Sequence, residues 1–178
     1  MPEIVLADPS LVVLIGAAGA GKTTFAARHF EPDEVLSSDA FRRMVSGDEA
    51  NQAATKAAFV VLYDVLERRL ASRRTAVVDA TNIEPAARRA LVARATAAGI
   101  PASAVVLDLP PATVIARNAA RPARVVDMAV VHRQLDRLRA SLDGPDPPLW
   151  REGFVELVVL HDPDEVNGVT VRRVPAKQ

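Results

Sequence analysis

Residues Leu11–Ile15 are five consecutive apolar side chains that run straight into Gly16-Ala-Ala-Gly-Ala-Gly-Lys-Thr23. No other stretch constrains the fold as much. A strand with one wet face alternates apolar and polar residues, whereas an unbroken apolar run is buried on both faces and belongs inside a parallel sheet. The small residues let the backbone turn tightly, and Lys22–His29 then reads as a helix. This strand–turn–helix order predicts the first βα unit of an open, mostly parallel sheet.

The rest of the chain repeats the alternation. Apolar runs at Val35–Ser37, Thr75–Val78, Ala104–Leu109, Phe154–Leu160 and Val169–Val174 read as further strands. Between them Asn51–Ser72, Pro85–Ala98, Pro111–Ala120 and Asp127–Leu142 read as helices. Pro85 and Pro111 suit a first helical turn, Gly99 before Pro101 a stop, and Asp127 a cap. The expected fold class is α/β: a three-layer sandwich of the P-loop NTPase type. Its central sheet has about five strands, with helices on both faces. At 178 residues the chain is expected to form one domain, 1–178, with the Pro-rich Gly144–Pro148 stretch as a surface loop.

Composition narrows the function classes. Lys+Arg and Asp+Glu both total 22, so whole-molecule charge cannot steer the protein to nucleic acid or an anionic membrane. Any polyanion site must be a local patch. Cysteine is absent, which removes disulfides, thiolate metal sites and cysteine nucleophiles. No apolar run approaches the ~20 residues that span a bilayer. Met1–Ser10 carries acids and no basic residue, unlike a signal peptide, so a cytoplasmic location without membrane partners is expected. The histidines, His29, His132 and His161, are dispersed and offer no metal-binding pair. Trp150 reads as a core or loop anchor. Aromatics are only 4%, which disfavours a stacking platform for long single strands.

Gly16–Thr23 satisfies G-x-x-x-x-G-K-[ST] and follows a strand into a helix, the context that marks a phosphate-binding loop. Successive N–H groups of Gly16, Ala17, Ala18, Gly19, Ala20, Gly21, Lys22, Thr23 and Thr24 can nest an anion, aided by the helix N-terminus. Lys22 reaches the terminal phosphates of ATP or another NTP. The Thr23 hydroxyl is a ligand for Mg²⁺ or another divalent cation. A Gly/Ala-rich turn alone would not explain the Lys-Thr pair.

Asp39 closes the second predicted strand, where ligands of open α/β sheets gather. It can accept a proton from a hydroxyl being phosphorylated. Arg42 stands three residues on and shares its face, with Arg43 beside it as a second acceptor-side cation. The same spacing also suits an Asp helix cap with arginines on a solvated face. Asp79 closes the third predicted strand, where an aspartate orients Mg²⁺ directly or through water. Thr81 and Asn82 either line the cleft floor or cap the next helix. Arg117 and Arg121 lie four apart on one helical face before Pro122. They predict a lid over about residues 117–130 whose arginines neutralise a transferring phosphoryl group, with Arg124 in its irregular part.

In this order Gly16–Thr23, Ser37-Ser-Asp-Ala-Phe-Arg42, Val78-Asp-Ala-Thr-Asn82, Arg117-Asn-Ala-Ala-Arg121 and Arg151-Glu-Gly-Phe154 resemble the 5′-hydroxyl kinase module of bacterial polynucleotide kinase-phosphatases. The resemblance covers most of Leu11–Leu160. It implies transfer of an NTP γ-phosphate to a 5′-OH end of RNA or DNA with a divalent metal. Lys22 would contact the phosphates, Thr23 the metal, Asp39 would be the general base and Arg42 would contact an acceptor phosphate. Arg117 and Arg121 would be lid arginines on the donor, with Arg121 counted among the catalytic residues. The phosphatase and ligase modules of that family have no room here, so a separately encoded ligase or phosphatase is the expected partner. Asp162-Pro-Asp164 faintly resembles an aspartyl-phosphatase loop, but only 14 residues follow it, and it reads as a turn near the donor base. Two alternatives stay open. One is a kinase of a small hydroxylated metabolite, antibiotic or nucleotide-sugar, and the other is an interaction module gated by bound NTP.

Overall fold

The computed structural model describes residues 3–47, 54–122 and 124–176. In chain order the elements are β1 (Glu3–Asp8), β2 (Leu11–Ile15), α1 (Lys22–His29), β3 (Val35–Ser37), α2 (Ser38–Ser46), α3 (Thr55–Ala71) and β4 (Ala76–Asp79). There follow α4 (Pro85–Ala97), β5 (Ala102–Leu107), α5 (Pro111–Ala119), α6 (Met128–Leu142), β6 (Glu156–Leu160), α7 (Pro163–Gly168) and β7 (Thr170–Pro175).

Five strands form a parallel sheet in the order β3-β4-β2-β5-β6. The unbroken apolar strand β2 is at its centre and is wholly buried, as its sequence requires. Its side chains divide between two cores. Leu11, Val13 and Ile15 join Leu62, Leu66 and Leu70 of α3 and Leu91 of α4. Val12 and Leu14 join Phe25 of α1, Val114 of α5 and Val131 of α6. Helices therefore cover both faces, as expected for an α/β sandwich. The chain builds out through β3 and β4 on one side of β2, then through β5 and β6 on the other. That reversal opens a crevice at the carboxyl end of β2, the place where such sheets bind ligands. Register puts Leu14 and Ser37 both opposite Asp79, so the phosphate-loop strand and both acceptor-side strands end at one level.

Several expectations need correction. Val169–Val174 was expected among the strands of the alternating pattern. It forms β7 and pairs with β1, in a parallel two-stranded sheet of its own. Strand β1 itself was not expected, although Ile4 and Leu6 point inward and Glu3 and Val5 outward at strand period. The second predicted strand stops at Ser37, and Asp39 lies in the first turn of α2. Asp39 is not the cap either: Ser37 Oγ accepts the Ala40 N–H. Asp162, read as part of a turn, caps α7 by accepting the Asp164 and Glu165 N–H groups at 2.8 and 2.9 Å. Trp150 is half exposed, and its neighbour Leu149 is the buried anchor. The start predicted for α3, residues 51–53, lies outside the described residues. Among the described residues no helix is long and apolar enough to cross a membrane.

One buried cluster braces the crevice from beneath. Arg88 of α4 is fully buried and forks onto Glu152 at 2.6 and 2.7 Å. It also donates to the carbonyls of Asn82 and Ile83 and to Ser141 Oγ of α6. Such geometry satisfies a buried guanidinium, which is otherwise costly to desolvate.

Candidate active site

The loop after β2 wraps the N-terminus of α1 and is packed from two sides. Gly19 has φ +93°, and a Cβ there would stand 2.5 Å from the Val114 carbonyl oxygen of α5. Only glycine fits that approach. From α6, Gln134 Oε1 accepts the Ala18 N–H at 2.9 Å. Lys22 is buried, and its Nζ donates to the Gly16 and Ala17 carbonyls at 2.8 and 3.0 Å. Burial pushes its pKa down to about 8, partly opposed by Asp79 and reinforced by Arg121. The ammonium is thus held over the loop by two carbonyls that a polyphosphate could replace.

The Thr23 hydroxyl donates to Asp79 Oδ2 at 2.7 Å. These are hard oxygen donors from two elements, suited to Mg²⁺, which keeps most of its shell as water and phosphate oxygen. Among the described residues no group of three His, Cys, Asp or Glu side chains could hold a metal by itself. The residues fit a cation that arrives with phosphate better than a resident one. Gly16 N–H donates to the Thr81 carbonyl at 3.0 Å, and Thr81 lines the cleft. Asn82, with φ +49°, turns inward and donates to the Leu14 carbonyl at 2.7 Å, so it braces the floor without facing it or capping α4.

Asp39 faces the same cleft and gathers three guanidiniums. Arg42 of α2 pairs with Oδ1, Arg124 donates to Oδ1 at 2.9 Å, and Arg121 lies 3.4 Å from Oδ2. Arg42 is almost fully buried. Arg43, one position round the helix, is exposed and is not among the residues lining the cleft. Arg117 does line it, with Nη1 3.5 Å from where a Gly21 Cβ would stand, directly over the phosphate loop. The segment carrying Arg121 and Arg124 is fastened to α5 by Asn118, whose amide donates to the Val126 carbonyl and accepts its N–H at 2.7 and 3.1 Å.

The cleft has a volume of about 1030 Å³ and brings together Lys22, Thr23, Asp39, Arg42, Asp79, Arg117 and Arg121. Three lining groups were not anticipated. Gln134 contacts the loop from 116 residues away, a pairing with no local signature. Arg124 was seen only as a residue of the irregular lid. Arg28 of α1 donates to Asn167 of α7, and both extend the cleft beyond the phosphate loop. The Asp162-Pro-Asp164 turn, read as lying near the donor base, was the hint of that wall.

A sequence model of the AAA domain matches residues 11–145. No curated protein matches the chain. Among solved structures, Kti12 of Chaetomium thermophilum, in complex with ADP-AlF3, is 19% identical with a TM-score of 0.63, covering 89% of this chain and 94% of that one. A gluconokinase from Sinorhizobium meliloti 1021 is 19% identical with a TM-score of 0.54, covering 91% and 87%. A chain of the Pnkp1/Rnl/Hen1 RNA repair complex is 22% identical with a TM-score of 0.63, covering 75% of this chain and 45% of that one. At these identities the likeness is one of fold: the kinase-like P-loop arrangement.

Proposed function

The chain belongs to the AAA domain family, and on that premise we propose that it is a polynucleotide 5′-hydroxyl kinase that uses ATP or another NTP. One observation carries the reading. A carboxylate that gathers three arginines shares a cleft with a complete phosphate loop. A hydroxyl acceptor bearing a neighbouring phosphate suits that combination, because guanidiniums fork onto phosphate as they do onto carboxylate.

In this reading the loop N–H groups and Lys22 bind the donor's phosphates, and Arg117 and Arg121 close over them. Thr23 and Asp79 would hold a divalent cation, which supplies charge neutralisation on the donor's phosphate oxygens when bound. Asp39 accepts the proton of the acceptor hydroxyl as its oxygen bonds to the γ-phosphorus. The bond from that phosphorus to its bridging oxygen breaks, leaving nucleoside diphosphate and a 5′-phosphorylated end. Arg42 orients the acceptor through its phosphate. The neighbour within an RNA repair complex supports a separately encoded ligase or phosphatase as partner.

Label transfer from γ-labelled ATP tests this, with 5′-OH RNA and DNA oligonucleotides set against gluconate, other sugars and nucleosides. Label on oligonucleotide 5′ ends is the expected result. Label on a small molecule alone would replace the polynucleotide reading with a metabolite kinase, a class whose gluconokinase member matches this chain over 87% of its own length. ATP binding with no acceptor of either kind would leave an NTP-gated interaction module.

A further inference from the structure

The two oxygens of Asp39 are held unequally. Oδ1 receives both Arg42 and Arg124, the latter at 2.9 Å. Oδ2 receives Arg121 at 3.4 Å, the outer limit of a hydrogen bond. The side chains holding Oδ1 are well covered, at 7% exposure for Arg42 and 14% for Arg124, whereas Arg121 is 31% exposed. Arg121 also lies close enough to Lys22 to oppose its charge. It therefore stands between the donor's phosphate grip and the acceptor's carboxylate. A guanidinium on a long, weak carboxylate contact moves readily to a polyphosphate, whose charge is greater and whose oxygens accept its fork.

We propose that Arg124 is a positioning residue that, with Arg42, fixes Oδ1 so that Oδ2 is the proton-accepting oxygen, and that Arg121 covers Oδ2 until a donor phosphate draws it away. Donor arrival then uncovers the base, and a hydroxyl that enters first finds the carboxylate masked. This rests on the reading of Asp39 as the base. It adds a role for Arg124 and an exchange of partners by Arg121 that the reading alone does not require. Among the described residues, the other charged groups lining the cleft are Lys22 and Arg28 of α1, Asp79 of β4, Arg117 of α5 and Asp127 before α6.

Competition for Arg121 predicts that removing the carboxylate strengthens donor binding. ATP affinity with Mg²⁺ and no acceptor is measured for the wild type, Asp39→Asn, Arg121→Gln and the double variant. Asp39→Asn should bind ATP about two- to fivefold more tightly, the range of a partly exposed ion pair. In the Arg121→Gln background the Asp39→Asn change should leave affinity unaltered. Unchanged affinity in the single variant overturns the exchange, and so does tightening that persists without Arg121, which would mark simple charge repulsion. Because no acceptor is present, this cycle decides the exchange even if no oligonucleotide is phosphorylated. For positioning, Arg124→Gln should lower kcat by about tenfold with KM for ATP nearly unchanged, and Arg124→Lys should restore part of the loss. An unchanged kcat, or a loss confined to KM for ATP, removes Arg124 from that role.

Discussion

Among the described residues, two of the clusters in which arginine meets a buried or half-buried carboxylate are built in opposite ways. At Arg88 and Glu152 one guanidinium meets one carboxylate in a bidentate fork, and the remaining donors go to two carbonyls and a hydroxyl. Both side chains are nearly sealed from water. At Asp39 three guanidiniums share one carboxylate that remains 26% exposed and opens on the cleft. The first cluster is closed, with donors and acceptors matched. The second offers more forks than one carboxylate can use well, at a place where an anionic ligand can reach them. Matched pairing suits a structural strut, and crowded pairing on a cleft wall suits the anion-binding role proposed for it.

The contrast can be broken most forcefully at the strut. Glu152→Gln or Arg88→Met leaves a buried charge without its partner, and either should destabilise the fold by about 3–5 kcal/mol in chemical denaturation. Asp39→Asn in the same assay should stay within about 1 kcal/mol of wild type, because the carboxylate itself is partly exposed and opens on the cleft. Equal losses at the two sites would erase the distinction. Next in size is Gly19→Ala, where the new methyl meets the Val114 carbonyl at a positive φ. A loss of about 2 kcal/mol with weakened ATP binding is expected, since the loop must shift away from α5. Wild-type ATP affinity in that variant would show the loop to be looser than its packing implies.

A third pair gives the smallest effect and tests the scale from the other end. Arg173 of β7 forks onto Glu34 at 2.7 and 2.6 Å, tying the two-stranded sheet to the turn before β3. Burial would raise the Glu34 carboxyl, but the Arg173 hydrogen bonds and charge and the Glu31 N–H outweigh it and hold it below its ordinary 4.5. A carboxylate held lower in the folded state than in the unfolded chain stabilises the fold above that ordinary value and loses its contribution as pH falls from there through the lower folded-state pKa. Arg173→Gln should therefore cost under about 1 kcal/mol at pH 7 and progressively less as pH falls below 4.5, as read from a series of denaturation midpoints. A cost that does not shrink in acid would assign the effect to packing on Phe30, over whose ring the guanidinium lies.

What was legible in the sequence follows the range of each interaction. The phosphate loop, its strand and its helix are local, so eight consecutive residues and their flanks suffice to place them. The three inner strands of the main sheet, β4, β2 and β5, carry their burial as nearly continuous apolar runs, whereas the edge strands β3 and β6 are only partly buried. Asp39 and Arg42 are three apart, within one helical turn. Contacts made at a distance were not readable. Arg88 reaches Glu152 across 64 residues, Arg124 reaches Asp39 across 85, and Gln134 reaches Ala18 across 116. Nothing in the residues themselves names such partners. Strand β1 was missed for another reason: six residues with only Ile4 and Leu6 turned inward give too short an alternation to stand out from a polar terminus.

The central claim, that Asp39 takes the proton from the phosphate acceptor, is tested most directly by single-turnover label transfer from γ-labelled ATP to a 5′-OH oligonucleotide. Wild type and Asp39→Asn are compared with ATP saturating, and ATP binding is measured alongside. The expected result is that Asp39→Asn still binds ATP but transfers at least ~10² more slowly. Transfer at the wild-type rate by a variant that can no longer accept a proton there would contradict it.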